Sequence, residues 1–480
     1  METLATSRRE RLHLWALFLA ACSAYGLYAV AKHAGFMSSY DLAIFDQHLW
    51  RASHGFPLAN TVRELPHLWG DHFHPLFLVL TPLYWIGDGT TNLLWAQAAL
   101  VTAGVFPLYR YARRRIDHIP ALLLVASFLV AWPVGEGLGF DVHEIALTVP
   151  ALGWAILLFE ERRFTPFWVA VAAMLLTRED QGFTVAMFGV LALTRRDFRL
   201  GMGLVVIGAG WSFAAVRWIV PHFSGVGYAQ WMYGHLAADA PSLVVLFLTR
   251  PWVLVKSLVL PLKKVALVRR FLEPTLYIGL ASPLTLLAVP GVAARLLSKY
   301  PKHWEPNLHW GLVTAMVLAF ATTDVFGRAL PLVRRVHRTR VARGAAGLLL
   351  AASLVGASLV PQKSLFRPSF WQDEPRRAAG REALALIPPD ASVVATVIAL
   401  PHLTHRLHAY VDWGYYRVYP PTWKPDVEPS AAAKFDSYSR ADWIVFDPFV
   451  PNPEGLAIVA GRTDFVRVYD REGWTLFRRR

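Results

Sequence analysis

Cysteine is nearly absent: one residue, Cys22, in 480. A disulfide within the chain and any cysteine-based metal centre are thereby excluded. Charge is scarce as well, at 17% Asp, Glu, Lys and Arg against about a quarter in an average soluble domain. Acids are the scarcer sign, 34 against 48 Lys+Arg. No Walker loop, G-x-G-x-x-G or G-x-S-x-G motif occurs, so nucleotide-driven pumping and serine hydrolysis have no support. No internal repeat or low-complexity tract is evident. What the chain has instead is apolar mass: 55% hydrophobic residues and a mean hydropathy of +0.36. These values predict an α-helical polytopic membrane protein. Its net charge of +14 then belongs in cytoplasmic loops, not on nucleic acid.

A crossing helix needs about 20 mostly apolar residues. Eleven segments are expected to span: 12–31, 92–111, 119–135, 144–160, 164–178, 181–194, 200–220, 242–261, 275–297, 309–327 and 344–361. Segment 76–87 is short, contains Pro82, and reads as a full span extended at both ends or as a re-entrant piece. If it does not cross, the cytoplasmic segments carry 22 Lys+Arg and the outer loops 6. Counting it as a crossing inverts that ratio. The positive-inside rule thus predicts a cytoplasmic N-terminus and an extracytoplasmic C-terminus in a bacterial plasma membrane. LAAC at 19–22 has the form of a lipoprotein cleavage site. The apolar run continues past it through SAYGLYAVA, so a retained first helix is expected.

The composition changes after Pro361. Residues 1–361 read as the membrane domain, with a first outer loop at 32–75, and 362–480 as a small soluble α/β domain. Short strand-like runs stand at 392–399, 442–447, 464–470 and 473–478, preceded by a helical pattern at 376–387.

Polar groups at the expected outer face are the candidates for chemistry, because burying them is costly. Loop 32–75 carries YDLAIFDQHLW and GDHFHP. At helical spacing Asp41, Phe45 and His48 share one face, and Asp46 and Trp50 another. His72 and His74 flank Phe73 just before a proline. GFDVHE supplies Asp141, His143 and Glu144; TRED supplies Arg178, Glu179 and Asp180; NLHW supplies His309. An amphipathic interfacial helix, helix capping and mutual ion pairs would account for each cluster separately. Their shared face instead suits transfer from a lipid-linked phosphate donor. A carboxylate can serve there as general base and cationic or metal groups can stabilise the departing phosphate. Asp and His ligands without cysteine would suit Mg²⁺ or Mn²⁺, with Asp46, His72 and His74 as possible ligands.

The ordered motifs YDLAIFDQHLW, HFHPLFLVLTPLY, LLWAQAALVTAGVFPLYRYAR, FDVHE and TRED resemble the bacterial membrane family called domain of unknown function 2079. LIPPDASVVAT, LPHLTHRLHAY, ADWIVFD and EGWTLF in the tail resemble the same family. The arrangement is also similar to the GT-C glycosyltransferases, which use polyprenyl-phosphate sugars. That resemblance implies an early acidic residue in the first outer loop as catalytic base, a position Asp41 occupies. The acidic pair common in that class is absent, since Leu42 follows Asp41. It further implies Asp46 orienting Asp41 or binding metal. His72, His74, Asp141, His143 and Glu144 would line a donor headgroup or divalent ion, and Arg178 would face phosphate. The implied partners are a lipid-linked sugar donor and membrane lipids. A transporter or lipid-handling protein using the same polar pocket, and an inactive GT-C-like scaffold, are the alternatives.

Overall fold

The computed structural model describes residues 7–225, 227–357, 360–412 and 438–480. The first helix, α1 (Arg8–Ala34), starts at a capping box. Ser7 Oγ accepts the Glu10 N–H, and Glu10 returns the bond to Ser7 N–H at 3.1 Å, which satisfies two otherwise orphaned donors. The second helix, α2 (Tyr40–Ser53), follows the outer end of α1. Ser39, at its N-cap, turns its hydroxyl away from the helix to donate to Asp141 at 3.0 Å. Asp41 sits in the first turn of α2, where the helix dipole favours a carboxylate.

Each of the eleven expected spans falls on a helical segment. Among the described residues five are long and apolar enough to cross singly: Arg8–Ala34, Gly89–Arg113, Phe198–Ser224, His309–Leu332 and Arg338–Ala357. Counting each bent pair as one span raises the number to seven. His118–Val130 with Trp132–Gly139 bends by 44°, Ala240–Thr249 with Pro251–Val259 by 105°. Segment 76–87 is an 11-residue 3-10 helix, Pro75–Trp85. It rises only about 22 Å, short of the roughly 30 Å of hydrocarbon, and packs on α2 and on α3 (Gly89–Thr102).

Two of the expected spans do not run face to face. The expected topology puts 262–271 and 298–308 on opposite sides of the membrane, yet Lys264 Nζ lies 4.6 Å above the Trp304 ring. Trp132, just before the outer-face residues of GFDVHE, donates Nε1 to Arg270 O at 2.8 Å. The 105° bend returns the chain to the face it left. Residues 273–297 then form a second excursion. Ser282, at its far end, donates to Asp324 at 2.6 Å, which lies about 22 Å along the next helix from His309. The four Lys and Arg residues of 262–271 therefore stand at the same end of the spans as Trp132 and Trp304.

The tail forms a five-stranded sheet in the order β2–β1–β3–β5–β4. Its strands are β1 (Val393–Ala395), β2 (Ala409–Val411), β3 (Trp443–Phe446), β4 (Phe465–Arg471) and β5 (Trp474–Arg479). β1 runs parallel to β2 and β3, while β5 runs antiparallel to β3 and β4. The β4–β5 turn places Glu472 and Gly473 at φ of 53° and 82°, the positive-φ pair a tight hairpin needs. Alternation splits the strands between two cores. Val394, Ile444, Phe446 and Phe477 pack with Val459 of the helix Pro453–Ala460. Val393, Ala395, Trp474 and Leu476 share a core with Phe36, Leu42, Phe45 and Leu49. On that face the helix Pro375–Ala385 packs on β5, Phe36 meets the Trp474 ring, and α2 packs on Leu400–His402.

Candidate active site

One end of the helical domain brings most of the expected polar residues into one network. His143 Nε2 approaches Asp41 Oδ2 at 3.3 Å, and its Nδ1 lies 3.6 Å from Glu144 Oε2. Arg178 continues the chain, 3.6 Å from Glu144 and 3.5 Å from Asp180. His309 stacks on His143 with ring centroids 3.4 Å apart. Glu144 is almost fully buried, whereas the Asp41 side chain is 30% exposed. Asp41 at one end and Asp180 at the other, 42% exposed, are the carboxylates at which this network meets solvent.

Burial alone would push the His143 imidazole down, but Asp41 and Glu144 raise it to about 9. That rise favours the imidazolium, which hydrogen-bonds Asp41 and forms a longer ion pair with Glu144. Burial would raise the Glu144 carboxyl; His143 and Arg178 hold it well below its usual range instead. Opposite charges win over desolvation here because each sits within one contact of the next.

A second group lies beside the first. His72 Nδ1 bonds Glu179 at 2.6 Å, the Phe73 N–H donates to Glu179 at 3.0 Å, and Tyr228 Oη donates at 3.0 Å. Glu179 is held down to about 2 against its burial, chiefly by His72. Gly70 lets this loop seat on the end of Phe198–Ser224, where any Cβ would meet the Ser224 backbone at 2.5 Å.

Three expected residues stand apart. Asp141 is buried and closed by Lys32 at 2.8 Å and by Ser39, so it fixes α2 to α1 and faces no ligand. His74 is buried against Phe45, Phe77 and His48, and it meets Glu144 only through their charges. Asp46 belongs to the opposite face of α2. Tyr84 Oη donates to it at 2.6 Å, Thr90 Oγ1 at 2.8 Å, and Thr404 and His405 reach it from the tail. Every orientation open to Asp46 is thereby occupied, and it cannot turn toward Asp41. His72 pairs with Glu179 and His74 with aromatic rings, so Asp46, His72 and His74 do not converge as metal ligands. Among the described residues no group of three His, Cys, Asp or Glu is placed to hold a metal ion.

The sequence reading missed Lys32, which pairs with a residue 109 positions away, and Tyr228, which lies in an uncharged loop. Helix periodicity on α2 did carry one signal, the separation of Asp41 from Asp46.

A helical membrane domain followed by a small C-terminal sheet domain is a GT-C-like fold. Two crystal structures of ArnT from Cupriavidus metallidurans share it. The form bound to undecaprenyl phosphate superposes with a TM-score of 0.59 at 13% identity, covering 96% of this chain and 97% of that one. The apo form gives 0.57 at 12% identity with the same coverage. An oligosaccharyltransferase from Archaeoglobus fulgidus matches at a TM-score of 0.37 and 13% identity, over 89% of this chain and 68% of its own. The two ArnT likenesses show the fold. No curated protein matches the chain in sequence. Residues 32–458 match the predicted membrane proteins of the DUF2079 family, and the chain belongs to that family.

Proposed function

We propose that the chain transfers a sugar from a polyprenyl-phosphate donor to an extracytoplasmic acceptor. The observation that carries this reading is the half-open Asp41 carboxylate held by a buried, charged His143–Glu144–Arg178 network. In the reaction the acceptor O–H gives its proton to Asp41 as its oxygen bonds the anomeric carbon. The bond from that carbon to the donor phosphate breaks, and its electron pair leaves on the phosphate. His143 fixes Asp41 by its Nε2–H bond, and Glu144 fixes His143 from the other side. Asp46 serves as the anchor of α2 to the tail, and Asp141 as its anchor to α1.

The same reading divides the chain into a membrane domain, 1–361, and an extracytoplasmic domain, 362–480. Nine crossings remain when 242–261 and 275–297 are removed from the eleven. Nine is odd, so a cytoplasmic N-terminus still leaves the tail outside, in the bacterial plasma membrane. The ArnT structure with undecaprenyl phosphate supports a lipid-linked donor through shared fold.

Incubation of purified protein with radiolabelled polyprenyl-phosphate sugars and envelope acceptors tests the reading. Transfer by the native chain and its loss in Asp41→Asn are the expected results. A transporter or scaffold using this pocket would show neither.

A further inference from the structure

Two buried cations remain outside this network. Arg295 is 5% exposed and Lys264 3%. Arg295 Nε and one terminal nitrogen donate to the carbonyls of His303 and Glu305 at 2.8 and 2.7 Å. Its other terminal nitrogen, Nη1, is buried with no partner. Lys264 Nζ donates to Ser257 O at 2.6 Å and otherwise faces the Trp304 ring. Neither forms a salt bridge among the described residues. Arg178 and Lys32, by contrast, have carboxylates, Glu144 with Asp180 and Asp141, while buried Arg51 and Arg406 spend their donors on backbone carbonyls.

An uncompensated buried cation is costly, so the position calls for an anion. Beside it lies an apolar groove of about 240 Å³, lined by Phe271, Leu296, Thr314 and Leu318 among others. Phe271 joins the two features, its ring lying 5.2 Å from the Arg295 guanidinium. The way back to Asp41 is a run of rings. Arg295 lies 5.8 Å from the Trp310 centroid, Trp310 5.5 Å from His309, and His309 stacks on His143.

We infer that Arg295 and Lys264 bind the phosphate of a long-chain lipid phosphate whose chain lies in the Phe271–Leu318 groove. This rests on the donor reading above and relocates the phosphate contact from Arg178, whose charge its own carboxylates neutralise. A phosphate oxygen supplies the acceptor that Arg295 Nη1 lacks. The apolar groove selects a lipid phosphate over free phosphate.

The test measures binding of fluorescent undecaprenyl phosphate to the full chain in detergent, with undecaprenol and inorganic phosphate as competitors. Loss of a charge-assisted contact should weaken binding by about 10- to 100-fold. Arg295→Gln and Lys264→Gln are expected to do so, and Arg295→Lys to recover part of the loss, each with an unchanged melting temperature. Leu318→Trp should weaken the lipid phosphate and leave inorganic phosphate alone. Wild-type affinity in both charge variants overturns the assignment. So does inorganic phosphate competing as well, mole for mole, as the lipid. Asp41→Asn should bind normally. If the native chain transfers no sugar while Arg295→Gln loses the lipid, the transferase reading falls and this site stands.

Discussion

His143 gives the most direct physical test of the network, because its charge state depends on adjacent Glu144 and on Asp41, 102 positions away. Its imidazole rises from 6.5 in the unfolded chain to about 9 in the folded one. At about 1.4 kcal/mol per pH unit, that rise represents about 3 kcal/mol of stabilisation. The folded state holds the proton more tightly than the unfolded state. The contribution is therefore complete below pH 6.5 and disappears as pH rises through about 9. In His143→Gln the ring proton is gone, so this component of the pH dependence should vanish. Melting temperatures of the purified protein, read in one detergent from pH 6 to pH 10, measure the difference. The gap between native and His143→Gln should be widest at the acid end and close toward pH 10. Parallel curves would refute the ion-pair account and reduce His143 to a stacked ring beside His309.

Asp41→Asn should lower transfer by about 10²–10⁴-fold, the usual cost of losing a general base, while exposed Glu64→Gln in the same loop leaves the rate unchanged. Product formation from labelled donor decides between them. Cysteines introduced at exposed His54, Lys263 and Ala457 should all react with an impermeant thiol reagent in intact cells. A silent Lys263→Cys would restore 242–261 as a crossing. Asp46→Asn leaves Tyr84, Thr90 and Thr404 facing a neutral amide and loosens the tail from α2, so limited proteolysis should release tail fragments faster than from the native chain. Equal rates would show that the apolar core alone holds the tail.

The sequence was informative where local pattern determines structure. The strand-like runs at 392–399, 442–447, 464–470 and 473–478 each hold a strand, because short apolar runs bounded by turn residues leave few alternatives. β2 escaped notice, since three residues ending LHAYV carry no alternation to read. Hydropathy also misled at 242–261. A window average measures apolar length and is blind to direction, so a segment folded back by 105° scores like a straight one. Arg250–Pro251 in its middle was the available warning, as the residue before proline is driven from helical geometry.

The site divides along the same line. Which acids gather at the outer face could be read, because each cluster adjoins the end of an apolar run. Which of them stays open could not, because that depends on partners far away in sequence. Asp41 and Asp46 lie five residues apart on one helix, and spacing alone places them on different faces. What separates their roles is that the Asp46 face meets Thr404 and His405, some 360 positions on, while the Asp41 face meets His143 and solvent. The tail therefore bears on the chemistry without contributing a reacting group. It holds α2 through Asp46, through Gln47 to Arg406 O, and through Arg51 to Leu407 O. A helix gripped along that edge, and tied at its N-terminus through Ser39 to Asp141, has little freedom to carry Asp41 away from His143. Such a fixed placement is what a general base requires, since proton transfer falls off steeply once the acceptor hydroxyl leaves hydrogen-bond reach.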